Sequence, residues 1–270
     1  MKICRISDDY RPNLGAVGYL FYYENADRFY IEIPSELSSD NAPMILDHEI
    51  EYGRDYVDAE WSKKWVCNRI VPRDRQNLGH VLRDSGLEEY NEYKLLLFGD
   101  GRCAQDDCYI EPITEEQLPD EIKERKKQRI YSVTALNEQR ILVYFYDGKG
   151  VVCDVRALVG KEQRFKLILE KESLFESVKV NAGGYSIGWG TTHEIPDYVL
   201  RNEKKEVPIS LEDMRLFIEH ETCDTAETTR RLNCTRQNID DLVRRGRLTP
   251  VKTGARSKLF FCSEVEERLW

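Results

Sequence analysis

The chain has no apolar run near the roughly 18–20 residues that span a bilayer, so no membrane segment is expected. Its opening, "MKICRISDDYRPN", lacks the apolar core of a secretory signal. Cysteine occurs eight times but scattered, and the nearest pair, Cys103 and Cys108, leaves four residues between them. That gap does not suit a compact zinc knuckle, and no second pair completes a set of four, so reduced thiols in a cytoplasmic protein are expected. There are only four histidines, His48, His80, His193 and His220, and none has an H-x-x-x-H or H-E-x-x-H partner. "HETC" at His220 reads as a helix end rather than a metal ligand set.

P-loop, G-x-S-x-G and kinase catalytic-loop motifs are missing as well. "GDGRCAQDDC" holds two carboxylates, Asp106 and Asp107, but neighbours in a strand point apart and do not share a substrate easily. "NAGGYSIGWG" is glycine-rich without phosphate-loop spacing and reads as a kinked hairpin. Together these absences lead us to expect no enzyme, no cofactor and no metal.

Charge is plentiful and unevenly placed. The 270 residues carry a net charge of −9 and are 33% charged and 41% hydrophobic, as in a soluble globular protein of two or three modules. From Met1 to Leu118 there are 13 Lys/Arg against 24 Asp/Glu, whereas from Thr225 to Lys258 there are 9 against 3. An acidic front suits a protein partner and a basic rear suits phosphate.

Two charged breaks divide the chain. "TEEQLPDEIKERKKQRI" reads as a connector with at most one helical turn, and "RNEKKEVPIS" ends in Pro208 and Ser210, which could cap a helix. The expected fold class is α+β, with modules at 1–118, 129–207 and 208–270. In the first module, "AVGYLFYY" and "RFYIEIP" flank "ENAD" as a hairpin. A helix follows with Trp61, Trp65, Val66 and Ile70 on one stripe, stopped by Pro72, and "EEYNEYKLLLFGDG" adds another short helix. In the second module, "YSVTALNEQRILVYFYDGKGVVCDV" alternates as strands around an Asp147-Gly148 turn. "RALVG" and "SLFESV" read as short helices on one face of a small sheet. Asp147, Asp154 and Trp189 are expected as turn, cap and core residues.

Two stretches share a rhythm: "RQNLGHVLRDSGL" from Arg75 and "RQNIDDLVRRGRL" from Arg236. The first follows Pro72 in an acidic setting and reads as a packing helix, with Leu78, Val81, Leu82 and Leu87 on its stripe and Gly86 as its stop. The second has a complete context. A short helix ends at Leu232, Asn233 and Cys234 turn the chain, and Thr235 caps the next helix. Ile239, Leu242 and Val243 should face Ala226, Thr229 and Leu232. Gly246 ends that helix, "LTPVKTGARSKLFF" reads as two strands about the turn "TGAR", and Ser263 with Glu266 reads as a capping box for "EVEERLW".

This last stretch, roughly 211–270, resembles the compact winged helix-turn-helix of the excisionase and MerR class. The resemblance implies that the start of the second helix enters the major groove of double-stranded DNA. Arg236 and Gln237 would then reach base edges, Thr235, Arg244 and Arg245 would touch phosphates, and Lys252, Arg256 and Lys258 would grip phosphate from the wing. Asp240 and Asp241 depart from the pattern: a carboxylate there costs phosphate attraction, although it could accept from a cytosine amine.

Residues 129–207, through "LVYFYDGKGVVCDVRALVG" and "LFESVKVNAGGYSIGW", resemble a bacterial domain of unknown function, the family numbered 2442. That likeness implies an adaptor or regulator and carries no catalytic residues. "VGYLFYYENADRFYIEI" and "GLEEYNEYKLLLFGDGRC" resemble the N-terminal subdomain of HipA-type toxin kinases. The combined expectation is an antitoxin or autoregulator of a toxin–antitoxin operon, partnered by a HipA-like kinase and forming a homodimer on DNA. The alternatives are a protein-interaction adaptor that does not bind DNA, and an excisionase-like accessory factor of a mobile element.

Overall fold

The computed structural model describes residues 1–160, 162–190, 193–202, 211–252 and 257–269, without the side chains at 44, 45, 211 and 212. Pro208, Ser210, the "TGAR" turn and Arg256 lie outside the described residues. The fold is α+β, and the chain divides into two compact units, Met1–Glu124 and Arg125–Trp270.

In the first unit, β1 (Lys2–Asp8), β2 (Gly18–Tyr23), β3 (Arg28–Glu32), β4 (Tyr56–Val57) and β5 (Cys108–Ile113) form a sheet ordered β4-β3-β2-β1-β5. Every neighbouring pair is antiparallel. With them run helices α1 (Met44–Glu51), α2 (Ala59–Cys67), α3 (Leu78–Asp84), α4 (Glu92–Phe98) and α5 (Asp120–Arg125). The hairpin about "ENAD" is β2–β3, closed by Asp27 in the left-handed region at φ 48°. Tyr22 stacks between Phe29 at 4.3 Å and Tyr93 of α4 at 5.0 Å, which ties that hairpin to a helix.

In α2, the Asp58 carboxylate accepts from the Trp61 N–H at 2.8 Å, and Trp65 and Val66 are buried. Trp61 does not join their stripe: it is 52% exposed, with the Lys64 ammonium 4.2 Å above its ring. The helix ends at Cys67, well before Pro72. Asp106 is spoken for, since it pairs with Arg69 and accepts from the Cys108 N–H at 3.0 Å, while Arg69 lies 3.7 Å from the Trp65 ring. The 114–130 connector is more ordered than expected. Thr114 and Gln117 form a reciprocal cap, and Leu118 and Ile122 are buried.

In the second unit, β6 (Ile130–Leu136), β7 (Arg140–Phe145) and β8 (Gly150–Asp154) form an antiparallel meander. Then come α6 (Val155–Val159), α7 (Lys166–Glu170) and α8 (Glu172–Phe175), and a second sheet of β9 (Lys179–Val180), β10 (Ser186–Gly188) and β11 (Glu194–Pro196), followed by α9 (Asp197–Arg201). Two sheets thus stand where one was expected. Gly184, at φ 74°, explains part of the layout: a Cβ there would sit 2.3 Å from the Ile130 carbonyl oxygen, so only glycine lets that turn approach β6. Asp147 accepts from the Lys149 N–H in its turn, Asp154 caps α6 through Ala157, and the buried Trp189 donates to the Phe175 carbonyl.

The remaining elements are α10 (Leu211–Glu221), β12 (Thr222–Asp224), α11 (Thr225–Arg231), α12 (Arg236–Arg244), β13 (Leu259–Phe261) and α13 (Cys262–Glu267). They belong to the same compact unit as the meander, not to a separate module. The meander is apolar on both faces. Val133, Ile141, Val143 and Val151 face one core, whereas Leu136, Leu142 and Val152 face Leu216 and Phe217 of α10. Arg140 and the buried Asp213 of α10 pair at 3.2 Å across that contact. A second buried pair, Arg129–Asp197 at 2.8 Å, fastens β6 to α9. Asp197→Ala is expected to lower unfolding free energy by about 3–5 kcal/mol, because it strands a buried guanidinium; urea denaturation followed by circular dichroism measures this.

Candidate nucleic-acid interface

The helix-turn-helix is built from α11 and α12. Asp224 caps α11 through the Glu227 N–H at 2.8 Å, and Thr228 is its fully buried residue, donating to the Asp224 carbonyl at 2.7 Å. Ala226 and Thr229, expected to be the inward face, are only half-buried. Leu232 ends the helix and Asn233 adopts φ 47°, a left-handed conformation that asparagine tolerates better than most residues. Thr235 then accepts from the Asn238 N–H at 3.3 Å and starts α12.

Ile239 is fully buried and packs with Cys223, Leu248, Phe260, Cys262 and Val265, while Leu242 and Val243 border that cluster. The C-terminal end of α12 is closed by paired backbone bonds, Gly246 N–H to Val243 O and Arg247 N–H to Leu242 O, with Gly246 at φ 66°. The earlier echo differs at its start. Arg75–Asn77 are spent in turns after Pro72, α3 begins only at Leu78, and none of its residues is buried. Gly86, at φ 68°, stops it as expected.

The wing departs from expectation. Lys252 bridges Leu259, and the Val251 N–H donates to the Leu259 carbonyl at 2.7 Å, but β13 pairs chiefly with β12. The reason lies just before. The Thr249 N–H is taken by the Glu264 carboxylate at 2.9 Å, and Pro250 has no N–H to offer. The last helix also differs. It starts at Cys262 after Phe261, with no side-chain cap, and Ser263 lies buried inside it.

On the surface, Thr235, Arg236, Gln237 and Asn238 are all exposed at the start of α12. Among the described residues, no hydrogen bond or ion pair engages the Arg236 or Gln237 side chain. Arg244 and Arg245 both pair with Asp241, the latter at 2.7 Å, and Lys258 pairs with Asp240 at 2.5 Å. The two unexpected acids thus neutralise three of the cations assigned to phosphate. Lys252 is exposed.

Asn238, third in the triplet, shares the exposed face, as its position beside Gln237 already indicated. Arg230 and Arg247 are exposed cations at the helix ends that composition alone did not single out. Arg231 has a different role, pairing with Glu227 at 2.7 Å and Glu266 at 3.3 Å to tie α11 to α13.

Among the described residues, no group of three or more His, Cys, Asp or Glu is placed to hold a metal, and His220 stands in the last turn of α10. No helix among them is long and apolar enough to cross a membrane. At the end of α10, Glu221 is 8% exposed, and burial pushes its carboxyl up to about 7. The proton is therefore held more tightly folded than unfolded, which stabilises the fold at low pH. That contribution is expected to fade as pH rises from about 4.5 through about 7, and Glu221→Gln should flatten the profile of melting temperature against pH.

Compared with models of known families, with curated proteins and with solved structures, the chain matches none. The reading of this interface therefore stands on its geometry.

Proposed function

We propose that the chain is a DNA-binding regulator that reads duplex through the start of α12. The observation that carries this is the joint exposure of Arg236, Gln237 and Asn238 on the first turn of a helix set by a left-handed turn and a threonine cap. A guanidinium fork suits the acceptor pair of guanine, and a side-chain amide suits adenine. Thr235 caps that turn, Lys258 pairs with Asp240 of the same helix, Arg244, Arg245 and Arg247 stand at its far end, and these with Lys252 suit phosphate; Arg256 lies outside the described residues.

The pairing of Asp240 and Asp241 favours the adaptor reading, and magnitude decides against it. Exposed ion pairs are worth about 0–1 kcal/mol, so a phosphate can take each cation from its carboxylate at small cost. The acids weaken attraction to DNA without removing it.

The first unit suits a protein partner. It is acidic, with 24 Asp/Glu against 13 Lys/Arg over Met1–Leu118, and it exposes Tyr10, Tyr52, Trp61 and Phe98. We assign it to a partner such as a HipA-like kinase, which makes the whole an antitoxin that autoregulates its operon, acting as a homodimer on paired half-sites. An excisionase-like accessory factor would need no such kinase.

Titration of the full chain with its own promoter should show affinity falling steeply as salt rises. Arg236→Ala is expected to relax base preference by about 1–3 kcal/mol. Asp241→Asn is expected to tighten binding to every sequence alike and to steepen the salt slope, since it frees two arginines. Absence of binding by both wild type and Asp241→Asn would leave the adaptor reading. Co-purification with the product of the adjacent gene tests the partner, and a neighbour unrelated to kinases would remove the antitoxin assignment.

A further inference from the structure

Beside α10, part of the meander's second face is left uncovered by the described residues. Tyr131, Tyr144 and Tyr146 form one side of the resulting concavity, and Met214, Phe217 and Phe261 form the other, around about 460 Å³. Five of the six aromatic residues that line it are half-buried, and the sixth, Phe145, is fully buried. Tyr131 meets Tyr146 edge-on at 5.2 Å, Tyr144 meets Phe217 edge-on at 5.5 Å, and the Lys126 ammonium lies 5.7 Å from the Tyr146 ring centre. Gly150 fixes one wall: a Cβ there would lie 2.7 Å from the Tyr144 ring, so the ring rests directly against backbone.

We propose that this concavity is a binding site for a small, uncharged, planar aromatic molecule. Its volume falls within the roughly 300–1,000 Å³ usual for small-molecule sites. Half-exposed aromatic side chains gathered in one hollow present an interaction surface instead of a sealed core. The aromatic walls are what a flat ligand would meet. Among the described residues that line it none is a carboxylate, ammonium or guanidinium, so there an ionic ligand would lose hydration without gaining a partner. Burial pushes the Tyr131 and Tyr146 phenols up, so both stay neutral beside the hollow.

The site touches the reader. Phe261 belongs to β13, which pairs with β12, and β12 runs straight into α11. Control of operator affinity by the ligand rests on the DNA-reading assignment; the binding site itself does not.

The test uses the full chain without DNA and two fluorescent probes, uncharged N-phenylnaphthylamine and anionic anilinonaphthalene sulfonate. The uncharged probe should saturate at one per chain and bind at least about tenfold more tightly than the anionic one. Met214→Glu, at a residue 42% exposed and so tolerant of change, should weaken it by about tenfold with melting temperature unchanged. Tyr131→Ala, checked for folding by circular dichroism, should do the same. Equal affinity for the two probes, unsaturable binding, or indifference to Met214→Glu would overturn the site. A repeat with promoter DNA separates the two readings: saturable probe binding by a chain that ignores DNA sinks only the regulator.

Discussion

An antiparallel sheet can leave one face in water, but a sheet with apolar side chains on both faces needs two covers. The β6-β7-β8 meander is of the second kind. Its own short helices and second sheet lie over Val133, Ile141 and Val143, which leaves Leu136, Leu142 and Val152 to be buried by something else. That cover is α10, the helix leading into the reader. The buried Asp213–Arg140 pair fixes how α10 lies on the sheet. The basic end of the chain is therefore built onto the middle of it, and the change in composition near 200 is not a change in packing.

Within the reader, two kinds of charge coexist. Arg231 is half-buried and held by Glu227 and Glu266, so its work is structural. Arg244 and Arg245 are exposed and Lys258 is partly so, and among the described residues the three are held only by carboxylates on α12, the half-buried Asp241 and the exposed Asp240. Pairs of the latter sort exchange readily with other anions and are screened by salt. A surface carrying its own weak counterions attracts polyanions less tightly overall. In the proposed regulator, that would leave the unpaired tips, Arg236 and Gln237, to dominate recognition.

Much of this architecture could be read from short-range chemistry. Thr235 before a helix, Asn233 between two helices, Gly246 and Gly86 after helices, and the "ENAD" turn all act through a few neighbouring backbone atoms, so the linear chain shows them. What could not be read depends on distant partners. Asp240 and Asp241 look like intruders until Lys258, Arg244 and Arg245 stand beside them. The short wing depends on Glu264 reaching the Thr249 N–H. Trp61 shares helical spacing with Trp65, yet in the first turn of α2 it is Ser62 that is buried and Trp61 that stands out, which periodicity alone does not reveal. That two sheets stand where one was expected turns in part on Gly184, which lets the chain pass close to β6, an event of packing and not of pattern.

α10 ends at Glu221 and β12 begins at Thr222, so no residue separates the element clamped to the meander from the strand that seats α11. Such a junction has no tether to swing on. If two copies of the proposed regulator met on one duplex, the unit that holds both α10 and α12 would help set the spacing of the sites they accept, as the span of calipers is set by their arms, and extra base pairs between half-sites would have to be absorbed by twisting the DNA.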